Sequence, residues 1–158
     1  MIFEAFEDFA AQLGPMQALA GLDFGTRTIG IAVSDRLRHV ASPLRTLRRR
    51  KFRDDAAALL AITDEREIGG LVIGLPRNMD GTEGPRCQST RAFARNLAAL
   101  TPMPISFWDE RLSTVAAERA LLEADTSRAR RGEVIDHVAA GFILQGALDR
   151  LGYLGTTR

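Results

Sequence analysis

Lysine is almost missing from this chain. Lys51 is its only lysine, although Lys and Arg together number 21, against 20 Asp and Glu. Arginine's planar fork suits phosphate and nucleic acid better than an ammonium does. A GC-rich genome gives the same bias, so composition alone does not choose between the two. Cysteine is down to Cys87, which excludes an internal disulfide and fits a reducing, cytoplasmic setting. No apolar run approaches the ~20 residues that cross a bilayer, so no membrane partner is expected. The start carries Glu4, Glu7 and Asp8 and no base before Arg27, the opposite of a secretory signal. G-x-S-x-G, H-E-x-x-H and G-x-x-x-x-G-K-[ST] are all absent, and there are only two histidines. Thiol chemistry, a zinc site and a phosphate loop are thereby disfavoured.

The 158 residues, 46% of them hydrophobic, suffice for one domain with a real core. Ile2, Phe6, Phe9 and Leu13 form the stripe of a short amphipathic helix, read as an extension over residues 1–17 ahead of a domain over 18–158. Two apolar runs flank the turn Gly25-Thr26-Arg27, and a third strand is expected from His39 to Leu44. A helix follows from about Arg53 to Glu67, ended by Gly69-Gly70, then a buried strand Leu71–Leu75. Next come a loop to Pro85, a helix near Gln88–Leu100 burying Phe93, Leu97 and Leu100, and a strand Ile105–Trp108. A helix capped by Ser113 and running to about Glu123, a basic loop Ser127–Gly132 and a last helix of about Glu133–Leu151 complete the reading. The expected class is α/β, with three antiparallel strands and then βα units in one five-stranded mixed sheet flanked by helices.

Three acids stand where the pattern expects something else. Asp23 interrupts the apolar run of the first long strand, where a buried carboxylate costs several kcal/mol unless a partner, a metal or water satisfies it. Asp109 and Glu110 follow an apolar strand at its carboxyl end, where such sheets bind ligands. Alternation lets only one of that pair face a given site, and which one stays open. Asp136 opens the last helix, where by itself it is an ordinary dipole-stabilising acid. Together the three suit one or two Mg²⁺ or Mn²⁺ ions, which take oxygen ligands and can drive phosphodiester cleavage.

Bases supply the other half. Arg45, Arg48, Arg49, Arg50, Lys51 and Arg53 crowd nine positions, and no acid interleaves from Arg36 to Arg53. Such a run favours a polyanion through counterion release. Arg77 and Asn78, in the loop after a strand end, and Arg27 and Arg111 extend the candidate nucleic-acid contacts.

Four blocks carry a resemblance. They are Leu22-Asp-Phe-Gly-Thr-Arg-Thr-Ile-Gly-Ile-Ala-Val-Ser-Asp35, Val72-Ile-Gly-Leu-Pro-Arg-Asn-Met-Asp-Gly-Thr-Glu-Gly84, Asp109-Glu-Arg-Leu-Ser-Thr-Val-Ala-Ala-Glu-Arg119 and Ile135-Asp-His-Val-Ala-Ala-Gly-Phe-Ile-Leu144. In order and spacing they resemble the signature blocks of the YqgF (RuvX) family over about residues 18–151. The resemblance implies a ribonuclease H-like fold and a cytoplasmic bacterial nuclease that matures the 5′ end of 16S ribosomal RNA, as a monomer or homodimer. It makes Asp23, Glu110 and Asp136 the catalytic, metal-holding acids, with Asp109 as the alternate to Glu110. Cleavage of branched DNA, or RNA binding without catalysis, are the competing expectations. His137, after Asp136, departs from the small residue of many relatives.

Overall fold

A computed structural model of the protein describes residues 1–112 and 128–156, the side chains of 128–136 and 156 excepted. The helix expected from Ser113 lies outside the described residues. The long strands are β2 (Ala18–Phe24), β3 (Thr28–Ser34), β4 (Ala41–Arg48), β5 (Ile68–Leu75) and β6 (Ile105–Asp109). Ile2–Phe3 forms a short β1 ahead of helix α1 (Phe6–Gln12). Helices α2 (Phe52–Glu65) and α3 (Pro85–Ala98) follow β4 and β5, and a long α4 (Arg128–Thr156) closes the chain. None of the described helices is long and apolar enough to cross a membrane.

The strand order is β1-β6-β5-β2-β3-β4. β3 runs antiparallel to both β2 and β4, whereas β2, β5, β6 and β1 run parallel. β2 is buried along its whole length because both sheet faces are covered. On one face Leu22, Ile31, Leu71, Ile73 and Ile105 pack with Leu59 of α2 and Phe93 and Leu97 of α3. On the other, Leu19, Ala32 and Val72 meet Phe9 of α1 and Ala140, Ile143 and Leu144 of α4. Glycine allows the second layer to come close: a Cβ on Gly21 would stand 2.7 Å from Leu144 Cβ and 3.1 Å from the Ala140 carbonyl.

The sheet has six strands where five are expected. Ile2 and Phe3 lie beside Ile105 and Ser106, and Ile105 N–H donates to the Met1 carbonyl at 2.9 Å. The extension thus covers part of an otherwise open sheet edge, a pairing across a hundred residues that no local pattern announces. The third long strand begins at Ala41, since Asp35 Oδ1 accepts the N–H groups of His39 and Val40 and bends that stretch into a turn. Gly69 and Gly70 belong to β5, where Gly70 lets Leu13 and Phe9 approach the backbone. Leu100 lies beyond the end of α3 and is exposed, leaving Leu97 to fill the core. The expected basic loop Ser127–Gly132 is helical from Arg128.

Gly21→Ala places a methyl against α4 and is expected to cost about 2 kcal/mol through overpacking. That corresponds to ~4–8 °C in Tm for a domain of this size. A thermal melt checks it, and an unchanged Tm would contradict the close approach.

Candidate active site

β2 delivers Asp23 to its carboxyl end on the face covered by α4, with a side chain only 3% exposed. Almost everything beside it lacks a side chain. Gly21 precedes it by two on the same face, Gly30 is its partner on β3, and Gly74 follows the Leu22–Ile73 pair on β5. Glu110 comes from the single 3₁₀ turn Glu110–Leu112 that ends β6. Its Oε1 would lie 2.8 Å from a Cβ built on Gly74, on the side where Ile143 of α4 packs. Asp23 and Glu110 therefore stand on one sheet face beside Gly74, at the carboxyl ends of β2, β5 and β6.

The third candidate acid is placed by the backbone alone. α4 runs antiparallel to β2, with Ala140 and Leu144 over Gly21. Four residues of helix rise about 6 Å, and two residues of strand span nearly the same. Residue 136, one turn before Ala140, thereby comes level with Asp23. Among the described residues no three His, Cys, Asp or Glu cluster closely enough to hold a metal, and the Asp136 side chain is not among them.

Asp109 goes elsewhere. It lies on the opposite sheet face with Phe107 and accepts from Arg111 through the backbone N–H to Oδ1 at 3.0 Å, Nη2 to Oδ2 at 2.7 Å and Nε to both oxygens at 3.1 Å. The Arg111 hydrogen bonds hold its carboxyl below the usual range, and Arg77, 3.9 Å away, adds to the effect. Arg77 also approaches Glu83 at 3.4 Å. Asn78 is committed to its own loop, its N–H donating to the Thr82 carbonyl and its Nδ2 to Thr82 Oγ1, each at 2.9 Å.

The basic run separates into parts. Pairing of Thr28 with Arg48 brings the carboxyl end of β4 to the same edge of the sheet as Asp23, with Arg45 and Arg48 exposed. Arg27, in the β2–β3 turn, and Arg50, Lys51 and Arg53 are exposed as well. Arg49 is not: its guanidinium donates to the carbonyls of Gly25 at 2.8 Å and Thr26 at 3.2 Å and lies 4.3 Å over the Phe24 ring. It clamps the turn that follows Asp23. His137, the residue that departs from the small one of many relatives, has its Nδ1 hydrogen-bonded to Thr46 Oγ1 at 2.9 Å.

Two buried or half-buried carboxylates over bare backbone suit a hard divalent cation, which takes oxygen ligands and keeps room for water and phosphate. A side chain on Gly74 would collide with Ile143 and displace Glu110.

Known proteins share this architecture. A solved Thermus thermophilus RuvC matches 86% of this chain and 97% of its own at TM-score 0.54 and 14% identity. The yeast mitochondrial Holliday junction resolvase matches 96% and 88% at TM-score 0.51 and 8% identity. These establish a ribonuclease H-like fold of the RuvC kind. A protein of Ruegeria pomeroyi named "Putative pre-16S rRNA nuclease" is 74% identical over 151 residues, 96% of this chain and 98% of that protein. One of Paracoccus denitrificans with the same name is 71% identical over 157 residues, 99% of each. The profile described as "RuvX: Holliday junction resolvase" matches residues 17–150, and the chain belongs to the RuvX family.

Proposed function

We propose that this nuclease hydrolyses phosphodiester bonds in the precursor of 16S ribosomal RNA, with Asp23, Glu110 and Asp136 as its catalytic, metal-holding carboxylates. The observation that carries the reading is that Asp23 and Glu110 stand on one sheet face beside Gly74, at the carboxyl ends of β2, β5 and β6. The substrate follows the names of the relatives at 74% and 71% identity. Mg²⁺ or Mn²⁺ bound to these carboxylates would lower the pKa of water and offset charge on the phosphate under attack.

The protein's own groups do the remaining work. Burial of Asp23 on a rigid central strand removes the freedom that would let its carboxylate wander. Arg27, Arg45, Arg48, Arg50 and Lys51 lie at the same edge of the sheet and neutralise flanking phosphates. Arg111 and Arg77 hold Asp109 on the far face, so a fourth carboxylate does not compete for the cation. Action in the cytoplasm accords with the single cysteine and an RNA substrate.

Asp23→Asn and Glu110→Gln are each expected to lower Mg²⁺-dependent cleavage of precursor 16S RNA by at least ~10³-fold while the fold persists, in the range seen when one essential charged group is removed. Asp109→Asn retains cleavage. End-mapped digestion measures this, and a wild-type rate for Asp23→Asn would sink the site. A four-way DNA junction run alongside tests the substrate, since faster cutting of the junction would replace ribosomal RNA by branched DNA.

Arg45→Ala with Arg48→Ala is expected to weaken RNA binding and to reduce the slope of log affinity against log salt by about 1.4, from two lost contacts to single-stranded phosphates. Arg49→Ala acts differently, lowering Tm because the Gly25 and Thr26 carbonyls lose their clamp. Binding isotherms at several salt concentrations and a melt separate the two effects.

A further inference from the structure

α4 docks on the outer strand β4 through three positions one turn apart. His137 Nδ1 meets Thr46 Oγ1 at 2.9 Å. Gly141 admits Pro43, whose Cγ would be 3.2 Å from a Cβ there. Gln145 Oε1 accepts the Ala41 N–H at 2.9 Å, and its Nε2 donates to the His39 carbonyl at 3.0 Å. Residues 137, 141 and 145 share one helix face, and their partners descend β4 in the opposite sense. Polar contacts at both ends and a packed middle stop the helix from sliding along the strand.

The upper contact has a particular place in the sheet. Asp23 pairs with Gly30, and Gly30 with Thr46, so Asp23 and Thr46 occupy one row across β2, β3 and β4. In such a row neighbouring side chains lie on the same face, and Gly30 puts nothing between them. The strand end of the bond stands in the row of Asp23, about 10 Å away across two strand spacings. Its helix end is the residue directly after Asp136. Arg45 and Arg48 sit on the same strand, one residue before Thr46 and two after it.

We propose that the Thr46–His137 hydrogen bond is a positioning link: it holds the first half of α4 at the height where Asp136 joins Asp23 and Glu110 about a divalent cation. Thr46 and His137 then determine metal affinity without touching the substrate. The link rests on the three-carboxylate reading above. Among the described residues, the next anchors of α4 on β4 are Gly141 and Gln145, one and two turns further from the site.

The test is titration of Mn²⁺ into the intact chain without RNA, followed by calorimetry or by the electron paramagnetic resonance signal of free Mn²⁺. Thr46→Val, which keeps the shape and loses the hydroxyl, and His137→Ala are each expected to weaken Mn²⁺ binding about five- to tenfold, the size of one hydrogen bond's net contribution. Thr46→Ser and His137→Asn, whose amide stands near the position of Nδ1, restore it. In cleavage assays the first pair lowers the rate at limiting Mn²⁺, regains it at saturating Mn²⁺ and leaves KM for RNA unchanged. Wild-type Mn²⁺ affinity in Thr46→Val and His137→Ala overturns the link while the carboxylate site stands. Equal weakening by the Ser and Asn variants also overturns it, since packing rather than the hydrogen bond is then responsible. A wild type that binds no Mn²⁺ overturns the carboxylate site and the link together.

Discussion

The structure depends on how closely α4 approaches the sheet. At Gly21 and Gly74 the strands present bare backbone, and Leu144 and Ile143 occupy the space that side chains would take. Trp108 meets Gly146 on the helix in the same way, so the small residue alternates between the two layers. A helix lifted by even one methyl would carry residue 136 away from the level of Asp23. The packing that forms this half of the core is thus also what sets residue 136 on the helix against Asp23 on the strand.

Electrostatics completes what packing begins. Neighbouring carboxylates in the Asp109-Glu110 pair meet opposite surroundings: Asp109 is neutralised by Arg111 on one face, and Glu110 stands beside Gly74 on the other, the face of Asp23. Bases are sorted likewise. Arg49 closes the turn behind Asp23, while Arg45 and Arg48 remain exposed on β4. Arg50 contributes its backbone N–H to buried Asp55 at 2.9 Å, which ties the end of the basic run to the start of α2. Charge near zero overall therefore coexists with an acidic site beside a basic rim.

Much of this was legible in the residues. An acid inside an apolar strand marks Asp23, because no core strand keeps a carboxylate without compensation. The helical stripe of Phe6, Phe9 and Leu13 and the turn at Gly25-Thr26-Arg27 came from periodicity and turn chemistry. What escaped was set by contacts between distant residues. β1 exists because β6 has an edge to cover. The choice between Asp109 and Glu110 needs the packed layers: alternation keeps Glu110 with Trp108, and only the seating of α4 shows that Asp23 is on that face as well. Thr46 and His137 are 91 residues apart, and each alone looks like an ordinary surface residue.

By itself the sequence determined the α/β class, the strands that carry the candidate acids and the family, since these rest on local periodicity and on motifs whose spacing survives without coordinates. Tertiary structure alone decided the sixth strand, the face each acid takes, which arginines stay exposed and how α4 is seated. Those features arise from pairing register and from the room left by missing side chains, and both depend on which distant segments meet.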